Sequence, residues 1–358
     1  MNYIKMNVIK EIKEYKYAPR VQNKKKLDIT YGADEKYLFA CGISITSILL
    51  NNDNNSFSFH VFTDFLDFDN ESKFKKLAEN LCADVTLYLI DCKELKNLPR
   101  TERLNYSTYI RFIIADQLCE SKDKILHLDA DISCNASIEA LNDIALGNNA
   151  GAVVKDSLGE IEGVKLSMRL GIPNIEQNYF NAGFLLLNLV YWRSHNITHQ
   201  AFALLSSKKY KGKLCLNDQD ALNILFLGKI INLSTKYNRI YNVSHERKRK
   251  SKRKQEDCVL PDLNDAALIH YTGSTKPWNS WANYTSCDIF KKAQAASEWK
   301  NHLSVPPQIR EELKDCAKQY FYQKDYINWI KYRAKYYFRK YQYYFRKDLD
   351  KLSITSQG

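Results

Sequence analysis

Two carboxylates one residue apart follow a short apolar run in Lys124-Ile125-Leu126-His127-Leu128-Asp129-Ala130-Asp131. Asp129 and Asp131 are hard oxygen donors of the kind that Mg²⁺ and Mn²⁺ take, leaving room in the shell for waters and substrate phosphates. Complementary chemistry sits in His270-Tyr271-Thr272-Gly273-Ser274-Thr275-Lys276. A neutral imidazole can join a metal shell, a glycine admits backbone to a phosphate, and a lysine supplies a compact positive charge. Each feature alone has a bland reading: Asp-x-Asp is more often a solvated turn, and a single His or Lys is more often structural or solvated. His, Gly and Lys at these offsets point to a site for a metal and a phosphate.

The elements that must position these residues alternate along the chain. Strands are expected over 27–32, 57–63, 85–90, 124–131, 151–156, 184–189, 230–233 and 267–271, and helices over 38–50, 71–81, 108–118, 138–145, 192–207 and 221–226. Alternation with short links predicts an α/β fold, a mixed, mostly parallel sheet flanked by helices. Ligands of open α/β sheets lie at the carboxyl ends of the strands, where Asp129 and Asp131 arrive. Asn217 or Asp218 would serve as an N-cap for the helix that follows. Residues 1–26 read as a polar leader, 27–305 as the catalytic domain and 306–358 as a C-terminal extension.

Composition narrows the partners. Arg247, Lys248, Arg249, Lys250, Lys252, Arg253 and Lys254 stand against Glu246 alone, and residues 318–347 hold nine Lys or Arg against Asp325 alone. These two segments carry +14 against a net charge of +12, so the basicity is local and points to an anionic partner. In the tail, Tyr326, Ile330, Ala334, Tyr337, Tyr341 and Tyr344 fall at helical spacing on one face, with Lys331, Lys335, Arg339 and Arg346 on the others. Nine cysteines without a Cys-x-x-Cys pair suit reduced thiols in a cytoplasmic protein. Residues 1–26 carry no secretory signal, and the longest uncharged apolar stretch, 38–50, falls short of the roughly 20 residues a spanning helix needs.

Taken together, these motifs resemble the family 8 retaining glycosyltransferases, specifically the bacterial lipopolysaccharide core α-glucosyl- and α-galactosyltransferases. The resemblance runs from about Leu27 to Trp278 with the motifs in the family's order. It implies a GT-A (Rossmann-like) fold, a UDP-glucose or UDP-galactose donor, Mn²⁺ or Mg²⁺, and transfer with retention to a lipopolysaccharide core acceptor. By the same resemblance, Gly32, Ala33, Asp34 and Tyr37 form the nucleotide turn, with Lys36 where the family often has Asn. Asp129, Asp131 and His270 are the metal ligands, Ala130 lies near the ribose, and Gly273 and Lys276 contact the diphosphate. Asp156, Asn181, Ala182 and Gly183 line the donor-sugar pocket, Arg111 lies near sugar and diphosphate, and Asp218 and Gln219 lie beneath the reacting carbon. Asp34 is implied to hold the uracil and Tyr37 to stack on it. Gln219 is a poor nucleophile, which favours front-side attack over a covalent intermediate.

The same subgroup carries a basic aromatic C-terminal extension, implying a peripheral enzyme on the cytoplasmic face of the bacterial inner membrane, its helix on anionic lipid. Two other classes fit parts of the chain. A metal-dependent nucleotide-sugar phosphohydrolase or nucleotidyltransferase would use Asp129 and Asp131; a nucleic-acid-binding protein would use the basic, tyrosine-rich segments, but leaves the ordered motifs unexplained.

Overall fold

The computed structural model describes residues 8–17, 26–53, 56–99, 105–156, 159–241, 263 and 265–355, with side chains described except at 159–162 and 344–355. The basic run Arg247–Lys254 and the side chains of Tyr344 and Arg346 lie outside the described residues. The chain divides into two compact units. The described residues within Met1–Ile240, Pro261–His270 and Ile289–His302 form one, and those within Tyr241–Leu260, Tyr271–Asp288 and Leu303–Gly358 the other.

The first unit is built on β1 (Ile9–Lys16), β2 (Leu27–Ala33), α1 (Leu38–Leu49), β3 (Phe57–Thr63), α2 (Phe68–Asn80), β4 (Asp84–Ile90), α3 (Ile110–Leu118), β5 (Lys124–Leu128), β6 (Ile132–Cys134) and β7 (Gly151–Lys155). It continues through α4 (Gly159–Leu170), β8 (Phe180–Asn188), α5 (Leu189–Ser194), α6 (Ile197–Ser206), α7 (Asn217–Leu225), β9 (Ile230–Asn232), β10 (Arg239–Tyr241) and β11 (Leu268–Tyr271), with α8 (Asp288–Ala295) beyond. The main sheet runs β1-β4-β3-β2-β5-β8-β7-β9, and β10-β11-β6 form a smaller one. The β4-β3-β2-β5 pairings and β7-β9 are parallel, whereas β1 and β8 run antiparallel to their neighbours. This is the expected mixed sheet. Its central strands are buried on both faces, as the near-continuous apolar runs of β2, β3 and β5 require.

Four local expectations change. Residues 9–16 are not a patternless leader but an edge strand paired with β4. Its Lys/Glu-rich sequence hides the pattern because an edge strand keeps charges to discourage pairing with another chain. Lys13 and Tyr15 both reach Glu71 of α2, at 2.5 and 2.9 Å. The helix expected over 192–207 breaks at Asn196, which adopts φ +49°, and becomes α5 and α6. The turn expected to be helical over 138–145 is a short 3₁₀ segment at Glu139–Asp143. Neither Asn217 nor Asp218 caps a helix, because α7 begins one turn earlier than predicted and both lie inside its first turn. The backbone N–H groups of Cys215 and Leu216 donate instead to Asp220 Oδ2, at 2.8 and 3.1 Å.

The second unit includes two tail helices, α9 (Arg310–Tyr322) and α10 (Tyr326–Thr355). Glu312 closes the start of α9 by accepting from the Gln308 and Ile309 N–H groups at 2.6 and 3.1 Å. Tyr320 stacks on Tyr332 with ring centroids 5.4 Å apart. The face of α10 that rests half-buried holds Trp329, Tyr332 and Tyr336, while the predicted face of Tyr326, Ile330, Tyr337 and Tyr341 is exposed, with Ile327 and Phe338 beside it. No described helix is long and apolar enough to cross a membrane.

Candidate active site

Asp129 and Asp131 leave the carboxyl end of β5 in a tight turn, in which Ile132 N–H donates to Asp129 O at 3.2 Å. The backbone of Asp129 is pinned to the antiparallel neighbour β8 through Gly183 O at 2.9 Å. β6 then pairs with β11, opposing Ile132 to His270, so that sheet register carries the distant histidine to the two carboxylates. His270 Nε2 lies 3.1 Å from Asp131 Oδ1 and 3.8 Å from Asp129 Oδ2. One ligand atom from each of Asp129, Asp131 and His270 falls within 4.8 Å of the others. Two carboxylates and an imidazole suit a divalent ion. Gly183 shows how closely this nest is built: a Cβ there would sit 2.3 Å from His270 Cε1 and 2.8 Å from Asp129 Oδ2. The predicted sugar-pocket glycine is therefore required by the carboxylate–imidazole cluster itself.

Arg111 comes from α3, where it is only 6% exposed and so is a buried charge rather than a solvated one. Its Nη2 donates to Asp129 Oδ1 at 2.8 Å, and its Nη1 donates to Ala182 O at 2.6 Å and lies 3.2 Å from Asp218 Oδ2. Burial pushes the Asp218 carboxyl up to about 6 against the pull of Arg111. His127, buried behind Asp129, is held well below its ordinary value by burial and then by Arg111, so it is a neutral packing group against Thr30.

Gln219 and the β8 start form the second part. Gln219 Oε1 accepts from Ala182 N at 3.0 Å and Asn181 Nδ2 at 3.2 Å, while Nε2 faces Asp156 Oδ2 at 3.4 Å and Tyr179 OH at 3.2 Å. Tyr179 OH in turn donates to Asp220 Oδ1 at 2.5 Å. The Oε1 atom already accepts two hydrogen bonds, which further weakens Gln219 as a nucleophile.

At the carboxyl end of β2, which is parallel to β5, Ala33 is buried and Asp34 follows. Gly32 packs under α3, where a Cβ would meet Ile110 at 2.9 Å. Asp34 Oδ2 accepts from Asn105 Nδ2 at 2.7 Å, whereas Oδ1 is buried with no hydrogen-bond partner among the described residues. Burial raises the Asp34 carboxyl above its ordinary range, against the hydrogen bond from Asn105. An unpaired buried acceptor beside Tyr37 suits a ligand N–H. Ala130 is buried in the turn between Asp129 and Asp131. In the second unit Gly273 adopts φ +93°, a left-handed conformation that favours glycine, and Lys276 Nζ donates to Tyr271 O at 2.8 Å.

Asn105, Tyr179 and Asn238 belong to this machinery and carried no functional signal in the sequence. Asn105 precedes a polar turn and reads as the cap it also is, accepting from Ser107 N at 2.8 Å. Tyr179 and Asn238 could not have been singled out, since their partners lie 41 and 32 residues away.

The strand ends gather a carboxylate–imidazole triad, a buried arginine and an unpaired acidic acceptor, and the architecture is that of the GT-A fold. The glycosyl transferase family 8 model matches residues 28–282 and the family's C-terminal model residues 284–340. The chain belongs to family 8 and is a glycosyltransferase. It is 37% identical to the lipopolysaccharide 1,3-galactosyltransferase of Salmonella typhimurium over 94% of this chain and 98% of that protein. The lipopolysaccharide glucosyltransferase WaaO of Escherichia coli K12 is 36% identical over 86% of this chain and 90% of that protein. The fold matches the galactosyltransferase LgtC solved with donor and acceptor sugar analogues, with TM-score 0.62 at 23% identity, covering 81% of this chain and all of that one.

Proposed function

We propose that the protein moves a hexose from UDP-glucose or UDP-galactose, with retention, onto the lipopolysaccharide core, using residues 27–305 for catalysis. The carrying observation is the Asp129, Asp131 and His270 cluster braced by Arg111, in a chain similar to lipopolysaccharide galactosyl- and glucosyltransferases over nearly its whole length. Mn²⁺ or Mg²⁺ held by the three ligands would offset charge on the departing diphosphate. Lys276 and the Gly273 turn would contact that diphosphate, Asp34 would accept the uracil N–H through its unpaired Oδ1, and Tyr37 would stack on the base. Arg111 spends its Nη donors on Asp129, Asp218 and Ala182 O, so its part is to hold the two carboxylates in place. Gln219, Asp218, Asp156, Asn181 and Ala182 would orient the sugar, and the engaged Oε1 of Gln219 favours front-side attack. Incubation with each UDP-sugar, Mn²⁺ and a truncated core acceptor tests the reading: sugar transfer is expected, and donor hydrolysis without transfer would favour the phosphohydrolase instead.

The tail supports a second part of the proposal, a peripheral place on the cytoplasmic face of the inner membrane. Ile327, Ile330 and Phe338 are 83%, 60% and 64% exposed on a helix that also carries Lys331, Lys335 and Arg339. Basic residues near anionic lipid contribute about 1 kcal/mol each. The full chain should therefore bind phosphatidylglycerol vesicles in a salt-dependent manner, and the Ile327→Ser, Ile330→Ser, Phe338→Ser triple variant should bind at least about tenfold more weakly by co-sedimentation, the loss of three buried apolar side chains. Equal binding by both would remove the helix from this role.

A further inference from the structure

Asn238 ends a short 3₁₀ turn just before β10, is 2% exposed, and touches both halves of the site. Its Oδ1 lies 3.1 Å from His270 Nδ1 and its Nδ2 3.0 Å from Asn181 Oδ1. The direction of every bond in this chain follows from two backbone donors, which cannot be reversed. Gly183 N–H donates to Asn181 at 3.0 Å, so the Asn181 atom there must be its oxygen. The Asn238 atom facing that oxygen must then be the amide nitrogen, which turns the Asn238 oxygen toward His270. An amide oxygen accepts only, so His270 Nδ1 must carry the proton. In the neutral ring Nε2 is then the lone pair, and it faces Asp131 and Asp129. On the other side, Ala182 N–H fixes the oxygen of Gln219, and the Asn181 amide nitrogen meets it at 3.2 Å.

We infer that Asn238 is a positioning residue that sets the tautomer of His270 for metal binding and, through Asn181, supports the orientation of Gln219 that Ala182 N–H holds. The inference rests on the metal and donor-sugar reading of the site, but its first half concerns the protein alone. Hydrogen-bond partners of a ligating imidazole fix its tautomer, and losing one typically costs about 10–100-fold in metal affinity.

Two substitutions separate the halves. Asn238→Ala removes both contacts. Asn238→Asp keeps an acceptor for His270 Nδ1 but sets a carboxylate oxygen against Asn181 Oδ1, which opposes the Asn181 orientation that Gly183 N–H holds and loosens its contact with Gln219. Long-range ¹⁵N–¹H correlation on the ¹⁵N-histidine-labelled full chain, without metal, should show His270 protonated at Nδ1 in the wild type and in Asn238→Asp, and a mixture of tautomers in Asn238→Ala. Mn²⁺ titration by electron paramagnetic resonance should show affinity weakened about 10–100-fold in Asn238→Ala and nearly retained in Asn238→Asp. With Mn²⁺ saturating, Asn238→Asp should lose kcat more than it raises KM for the donor. A wild-type His270 protonated at Nε2 and not at Nδ1, or an Asn238→Ala chain with unchanged tautomer and unchanged Mn²⁺ affinity, would overturn the inference. A wild type that binds no Mn²⁺ but shows the Nδ1–H form and loses it in Asn238→Ala would instead sink the metal reading and keep the tautomer role.

Discussion

Replacing Asp131 with Asn should lower sugar transfer by about 10³-fold or more while leaving the fold intact, because a proposed ligand becomes a neutral amide and the bound metal's transition-state stabilisation, worth several kcal/mol, is lost with it. The side chain is 8% exposed, and its Oδ1 lies 3.1 Å from His270 Nε2. An amide of the same shape fills the same space. Removing one of two neighbouring negative charges relieves repulsion with Asp129 but also withdraws a charge that stabilises the buried Arg111, so thermal stability without metal should change little. The discriminating measurement is the melting temperature with and without Mn²⁺. A ligand that binds only the folded state stabilises it in proportion to RT ln(1 + [L]/Kd), so the wild type should gain stability with Mn²⁺ and the variant should gain little. Full transfer by Asp131→Asn would return the carboxylate pair to an ordinary turn after a strand.

The parts of this site that could be read in the sequence are those whose chemistry is concentrated locally. Asp129 and Asp131 are separated by one residue at the end of an apolar run, and Gly273 and Lys276 by two, so type and spacing suffice. The central strands were equally legible, since burial on both faces leaves runs such as Phe57–Thr63 with almost no charge. What stayed hidden depends on partners remote in the chain. β1 is written in Lys and Glu because it is an edge, and its role as a strand follows only from pairing with β4. Asn238 has no neighbour that marks it; its function arises when β11 brings His270 beside it. Asp218 carried a reasonable capping interpretation that fails because α7 starts at Asn217 and Arg111 claims the carboxylate. The exposed aromatic face of α10 was legible as a helical stripe. Which stripe packs against α9 was not, since Trp329, Tyr332 and Tyr336 form an equally regular alternative.

Arg111→Met should be strongly destabilising, and its cost should depend on pH. Methionine matches much of the arginine stem but removes the charge shared by Asp129 and Asp218, which lie 2.8 and 3.2 Å from the guanidinium. Breaking a buried pair by deleting one partner typically costs about 3–5 kcal/mol, since the remaining charge is stranded. Asp218 determines the pH dependence. Burial already holds its folded-state carboxyl at about 6, above the value in an unfolded chain, with Arg111 pulling downward. A raised folded value means that the contribution of this group is fully present at low pH and is lost as pH rises through the folded value. Without Arg111 that value rises further, so more stability is lost on the way to neutral and alkaline pH. At pH 5, below 6, Asp218 is mostly neutral even in the wild type and Arg111 has less charge to pair. Urea denaturation in the absence of metal should therefore show a smaller deficit for Arg111→Met at pH 5 than at pH 8. Adding Asp218→Asn should recover part of the pH 8 deficit without restoring transfer, because Asp129 would still lack the donor that holds it. A deficit independent of pH, or a double variant no more stable than the single one, would mean that the arginine is held by packing and that its ion pair with Asp218 contributes little.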